Sequence, residues 1–168
     1  MNHHKNGVEN VSCAVITVSD TRTTETDKSG KRITEMLTEA GHLVNLYQII
    51  PDEKEQIRLN IKKTINNDNI QAIIVNGGTG ISYRDVTIES IEPLFDKQIP
   101  GFGELFRLFS YKYDIGTASI LSRAICGVAN HRLIFSIPGS TGAVTLAMER
   151  IILPEIRHMI NEIHKDLT

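Results

Sequence analysis

A short apolar run, Ala72-Ile73-Ile74-Val75, passes without a spacer into Asn76-Gly77-Gly78-Thr79-Gly80. Few folds accommodate such a junction. A strand this uniformly apolar belongs in a sheet buried on both faces, which is the habit of parallel sheets covered by helices. Three glycines in four residues then let the backbone take positive φ and approach a ligand with no Cβ in the way. Successive exposed N–H groups in such a turn form a concavity for anions. A tight strand-to-helix turn with no ligand is the simpler alternative.

The flanking sequence repeats the theme. Ser12 to Val18 and Leu43 to Ile50 read as strands, and Leu133 to Ile137 as another that ends at Pro138-Gly139-Ser140. Between the first two, Ile33, Met36, Leu37 and Ala40 recur at helical spacing, and Gly41 stops that helix. Pro51-Asp52-Glu53-Lys54-Glu55 opens a second helix with the stripe Ile57, Ile61 and Ile65. Val86 to Ala124 reads as shorter helical pieces broken by Pro93, Pro100, Gly101 and Gly116. Two helices close the chain, one through Val144, Ala147, Met148 and Ile151, the other after Pro154 through Ile156, Met159, Ile160 and Ile163. Strands alternating with helices predict a three-layer α/β fold: a mainly parallel central sheet with helices on both faces. Residues 11–168 form one domain, and the polar residues 1–10 are expected to be a flexible N-terminus.

Composition narrows the partners. Among 168 residues, 18 are basic and 20 acidic, a net charge of −2. That balance speaks against nucleic acid and against a membrane surface, both of which call for a concentrated basic face. No apolar run is long enough to span a bilayer, and the N-terminus lacks a signal-peptide core, so a cytoplasmic protein is expected. Cys13 and Cys126 stand in apolar stretches without metal-type spacing and read as buried structural thiols. His3 and His4 read as solvated.

In an open parallel sheet, ligands bind beyond the carboxyl ends of the strands. Ser19-Asp20, Pro51-Asp52, Asn76 to Asp85 and Pro138-Gly139-Ser140 all belong to that edge by topology. The glycine loop is not a P-loop, since no Gly-Lys-Ser/Thr follows. It is not a dinucleotide fingerprint either, because Tyr83 stands where glycine or alanine is required. Asp85 has a helix N-cap as its simpler role, and Asp52 with Glu55 has capping-box-like spacing. Two carboxylates beside a phosphate repel it unless a divalent cation bridges them, which points to magnesium through Asp52 or Asp85. Pro138-Gly139-Ser140 opens a helix whose N–H groups suit a second anion. Glu104 and Arg107, beside two glycines and two phenylalanines, suggest a shaped pocket wall.

These segments together resemble the MoaB/MogA family of molybdenum-cofactor biosynthesis proteins, related to the G domain of gephyrin. The resemblance rests on Thr17-Val18-Ser19-Asp20, Asp27-Lys28-Ser29-Gly30, Ile50-Pro51-Asp52 and Asn76-Gly77-Gly78-Thr79-Gly80. It continues through Arg84-Asp85-Val86-Thr87, Pro100-Gly101-Phe102-Gly103-Glu104, Leu121-Ser122-Arg123-Ala124 and Ile137-Pro138-Gly139-Ser140. It implies that molybdopterin is adenylylated with Mg-ATP, giving adenylyl-molybdopterin and pyrophosphate. It implies catalytic roles for Asp52 and Asp85, and a nucleotide and pterin phosphate site at Gly77, Gly78, Thr79, Gly80, Pro138, Gly139 and Ser140. Ser19 and Asp20 are implied as pocket-lining residues. The run from Ser140 to Val144 and that from Gly103 to Arg107 look like the MoaB branch. For that branch a non-catalytic molybdopterin carrier or scaffold in the same pathway is the alternative. A homo-oligomer, trimer or hexamer, is implied, and contact with other proteins of the pathway is compatible with it. A generic flavodoxin-like domain binding flavin or ATP is a third reading.

Overall fold

The computed structural model describes residues 7–167; His3, His4 and most of the expected flexible N-terminus lie outside them. Within that terminus, the Val8 N–H donates to Asn161 Oδ1 (2.8 Å), and Val8 packs on the core.

Six strands form one sheet in the order β2-β1-β3-β6-β5-β4, with β4 at Lys97–Gln98 and β5 at Ile125–Ala129. β1 (Ser12–Val18), β2 (Leu43–Ile50), β3 (Ala72–Asn76) and β6 (Arg132–Ile137) are mutually parallel. The apolar strands β1 and β3 lie inside the sheet with a neighbour on each side, as their lack of polar alternation demands. Side chains alternate between two cores. Cys13, Val15, Ala72, Ile74, Leu133 and Phe135 face α1 (Lys28–Glu39), α4 (Pro100–Tyr113), α5 (Thr141–Ala147) and α6 (Leu153–His164). Ala14, Ile16, Ile73, Val75 and Ile134 face α2 (Lys54–Ile65) and α3 (Thr87–Ile91). The expected three layers are present. Both cysteines are buried free thiols, and burial pushes Cys13 up to about 12.

Helix α1 ends as Gly41 predicts. Gly41 takes φ 87°, His42 N–H donates to Leu37 O (2.9 Å) and Gly41 N–H to Thr38 O (3.0 Å), a Schellman motif.

The expected helical pieces between Val86 and Ala124 are there, and the second half of the chain shows three differences from the sequence pattern. Pro100 and Gly101 break nothing: Pro100 is the first residue of the 14-residue α4, where its missing N–H has no helical acceptor to lose. Two strands escape the sequence pattern, β4 (Lys97–Gln98) and β5 (Ile125–Ala129), which run antiparallel to each other. β5 returns into β6 through Asn130 and His131, both at positive φ, as in a type I′ hairpin. The third difference lies at Pro154. Residues 148–152 form a π turn that joins α5 to α6 in one unbroken run, so Pro154 does not separate two helices. A wider turn takes the proline ring where an α-helix would clash with the carbonyl four residues back.

Candidate functional site

The chain runs from β1 outward to β2 and then crosses back to β3 on the other side of β1. This reversal is a topological switch point, and a crevice must open beyond the carboxyl ends of β1 and β3. There a cleft of about 510 Å³ is lined by Ser19, Gly77 to Gly80, Asp85, Pro138 and Gly139. A larger groove of about 760 Å³ between α6 and the β4–β5 edge is walled mainly by apolar residues such as Phe102, Leu105, Met159 and Ile163. It gathers none of the glycine loops, so the chemistry belongs to the smaller cleft.

The glycine loop is held from beneath. Gly77 N–H donates to Ile137 O (3.0 Å), and Thr87 N–H donates to Gly78 O (3.1 Å). Gly77 and Gly78 have φ of 99° and 68°. A Cβ on Gly77 would lie 2.4 Å from Val18 O, and one on Gly78 would lie 2.2 Å from Thr87 Oγ1. Glycine is therefore required twice over, by conformation and by space. Arg123 takes two further carbonyls, its Nε donating to Thr79 O (2.9 Å) and its Nη2 to Gly80 O (2.7 Å). Among the described residues no protein group accepts from the N–H of Gly78, Thr79, Gly80 or Ile81. Carbonyls are tied and donors are free. That is the polarity of an anion cradle.

Asp85 is not a helix cap. α3 begins after Val86 without a side-chain cap, and Asp85 Oδ2 instead accepts from the N–H (3.1 Å) and hydroxyl (2.6 Å) of Ser82. It lies so near the loop that a Cβ on Gly80 would come within 2.5 Å of Asp85 Oδ2. Asp52 is not a cap either: the N-cap of α2 is Glu53, again without a side-chain bond. Asp52 N–H donates to Asp20 Oδ1 (2.9 Å), and Asp52 Oδ1 would sit 2.9 Å from a Cβ on Gly78. Burial, then the charges of Asp20 and Asp85, push the Asp52 carboxyl above its ordinary range. Arg84, 3.9 Å from Asp20, is too exposed to offset this crowding.

Asp52 and Asp85 thus approach the glycine turn and Asp20 stands beside Asp52; of the three, Asp85 lines the cleft, while Asp20 and Asp52 lie outside its wall. Among the described residues, no three His, Cys, Asp or Glu side chains converge as a closed metal site. Magnesium does not ask for one, since it is commonly held by one or two carboxylates and completed by substrate phosphates.

The remaining expected residues divide. Ser19 lines the cleft, but its Oγ accepts from the N–H groups of Thr21 (3.2 Å) and Arg22 (3.0 Å), turning the chain after β1. Gly139 touches the glycine loop, its hypothetical Cβ lying 3.1 Å from Gly77 Cα. Ser140 caps α5, its Oγ accepting from Ala143 N–H (3.2 Å). Glu104 and Arg107 lie apart from the cleft, along a separate hollow of about 200 Å³ between α4 and β5.

The site's supports were not foreseen. Buried Asp27 accepts from the hydroxyls of Thr17 (2.6 Å) and Tyr47, from Gly30 N–H (3.0 Å), and faces the Arg22 guanidinium at 3.5 Å. Burial opposes its charge, yet the Thr17 and Tyr47 hydroxyls, Gly30 and Arg22 together hold its carboxyl below the ordinary range. Thr17 in turn accepts from Asn76 Nδ2 (2.9 Å), while Arg22 Nη2 donates to Gly139 O (3.0 Å). Asp27 and Arg123 stand in segments that carry the family resemblance, which gave them no role. Nothing in the sequence signals Tyr47, because it reaches Asp27 across from β2.

Fold and cleft define a class: a doubly wound α/β domain with an anion-binding crevice at its switch point. Residues 14–158 match the family described as a probable molybdopterin binding domain. The chain is 52% identical to molybdenum cofactor biosynthesis protein B of Bacillus subtilis over 98% of this chain and 96% of that one. It is 51% identical to the protein of the same name from Staphylococcus aureus, over 98% and 100% of the two chains. A crystal structure of molybdenum cofactor biosynthesis protein B superposes with a TM-score of 0.91 at 50% identity, covering 94% of this chain and 98% of that one. The tungsten cofactor synthesizing protein MoaB from Pyrococcus furiosus gives 0.83 at 37% identity, covering 93% and 98%. The chain belongs to the molybdopterin-binding-domain family, and within it to the molybdenum cofactor biosynthesis protein B group.

Proposed function

We propose that this chain, acting in molybdenum cofactor biosynthesis, binds molybdopterin and adenylylates it with Mg-ATP. The observation that carries the reading is the run of four free N–H groups from Gly78 to Ile81, set against three carboxylates. Free donors with tied carbonyls suit phosphate oxygens. The Asp20, Asp52 and Asp85 side chains would repel the same phosphates unless a cation joins them. Burial first, then the neighbouring charges of Asp20 and Asp85, push the Asp52 carboxyl up, and a divalent cation there would relieve that repulsion.

A terminal phosphate oxygen of molybdopterin attacks the α-phosphorus of ATP, and the bond to the bridging α–β oxygen breaks. Pyrophosphate leaves with the bonding electron pair. The nucleophile is already an anion, so no side chain has to remove a proton. The protein's task is alignment and stabilisation of developing negative charge. Gly78 to Ile81 offer donors to the phosphoryl oxygens, and Asp52 and Asp85 would hold Mg2+, whose contribution is charge neutralisation. Ile115, Ala118 and Leu121 line the same cleft and give a ring system an apolar wall.

Incubation with molybdopterin and Mg-ATP should release pyrophosphate, and Asp85→Asn should cut the rate well over tenfold. A fully active Asp85→Asn protein would remove Asp85 from the mechanism. Molybdopterin binding without pyrophosphate release would make the protein a carrier.

We also infer a homo-oligomer, a trimer or hexamer. Leu105, Leu108 and Tyr111 repeat at three-residue spacing along α4 and stand 38%, 46% and 54% exposed, a stripe that another copy would cover.

A further inference from the structure

The free donors of the glycine loop raise a physical question. A flexible turn containing three glycines has little reason to keep its carbonyls turned back and its donors presented. Free N–H groups seek acceptors, and a loop able to flip its peptides would satisfy them internally.

At Thr79 and Gly80 the restraint comes from one side chain. Arg123 stands just before β5, more than forty residues along the chain from the loop. It donates through Nε to Thr79 O (2.9 Å) and through Nη2 to Gly80 O (2.7 Å). Carbonyl and N–H of one peptide unit point in opposite directions. Fixing these two carbonyls therefore fixes the N–H of Gly80 and of Ile81. The guanidinium is itself mounted: Glu89 on α3 forms a close ion pair with Nη1. The Arg123 partnership holds the Glu89 carboxyl below its ordinary range. Glu89 also limits the freedom of Arg123 to swing onto a phosphate in the cleft it lines. The Pro-Gly-Ser loop is built alike. Arg22 Nη2 donates to Gly139 O (3.0 Å), and its own mount is the buried Asp27 (3.5 Å).

We propose that Arg123 is the positioning residue of the anion cradle. It locks Thr79 and Gly80 with their carbonyls turned back, so that the Gly80 and Ile81 donors are preorganised, and Glu89 holds it there. The proposal rests on reading the cleft as a phosphate site. It concerns the fork geometry of arginine rather than its charge, which lysine would keep.

Arg123→Lys and Arg123→Gln separate the two, tested on the full chain with inorganic pyrophosphate and magnesium as the probe. Backbone 15N order parameters at Gly80 and Ile81 should be those of rigid backbone, about 0.85, in the unliganded wild type. They should fall below about 0.6 in both variants. Calorimetry should show pyrophosphate binding weakened by about tenfold or more in both, to a similar degree. Glu89→Gln, which leaves Arg123 in place without its mount, should loosen the same two amides by a smaller amount. Lysine restoring wild-type affinity would overturn the proposal, because Arg123 would then act as a charge on the ligand. Unchanged order parameters in Arg123→Gln would overturn it as well. The dynamic measurement needs no ligand. A wild type that binds no pyrophosphate would therefore sink the phosphate reading of the cleft, while the order parameters still decided the clamp.

Discussion

At the scale of single residues, charge in this site is managed by pairing each loop-holding arginine with a carboxylate, Arg22 with buried Asp27 and Arg123 with Glu89. Asp27 is the clearest case, an ionised carboxylate with no exposure, three donors and the Arg22 guanidinium around it. Its folded-state affinity for a proton is below the ordinary value, so the unfolded chain binds that proton more tightly. The stability it contributes is complete above the ordinary value of 3.8 and is lost as pH falls through the lowered one. Asp27→Asn should reduce stability at neutral pH by about 2–4 kcal/mol, since a buried network loses its charged centre. Denaturant unfolding across pH 2 to 7, as roughly set by these carboxylate values, should also show a shallower acid limb in the variant. An acid limb identical to wild type would remove Asp27 from that role. The sequence offered Asp27 only as part of a motif. Thr17, Tyr47 and Arg22 meet it from β1, β2 and the turn between, and no local pattern encodes a meeting of three segments.

At the scale of elements, buried strands and amphipathic helices were legible because their patterns are local. β1 and β3 are dominated by buried apolar residues, and α1 carries its stop signal in Gly41. β4 and β5 were illegible for the opposite reason. A two-residue strand such as Lys97–Gln98 exists only through its pairing with Val128 and Gly127. Gly127 is needed where Phe95 crosses, since a Cβ there would lie 2.4 Å from the ring. Helix α4 is anchored by Phe102 and Phe106, whose ring centroids are 6.2 Å apart, with Phe102 edge-on to Phe135 of β6 at 5.1 Å. Phe106 is fully buried. Phe106→Ala should therefore cost about 3–5 kcal/mol, read as a shift in denaturant midpoint at unchanged slope. A loss under about 1 kcal/mol would mean that the site collapses around the missing ring.

At the scale of the whole molecule, the exposed α4 stripe carries its own prediction. Light scattering on the wild type should give three or six times the chain mass, and Leu108→Glu should bring it toward that of one chain. A charge placed in an apolar interface is costly to bury unpaired, whereas on a free surface it is tolerated. An unchanged mass would move the interface elsewhere, and a monomeric wild type would remove it. Among the described residues no helix is long and apolar enough to cross a membrane.

The junction of Ala72–Val75 with the glycine loop, together with the alternation of strands and helices along the chain, determined by sequence alone a helix-covered, mainly parallel sheet with a glycine turn at a strand's end. That much follows from local physics: apolar strands must be buried, and glycine is the residue that takes the positive φ of Gly77 and Gly78 without a steric cost. Whether the turn's donors would be free or consumed was decided only by tertiary structure. The acceptors that might have taken them are occupied by Arg123 and Thr87, groups from beyond the loop. Tertiary structure likewise decided that Asp52 and Asp85 cap nothing and crowd the loop instead. Sequence spacing can propose a cap, but only the positions of neighbouring strands set which donor each carboxylate meets.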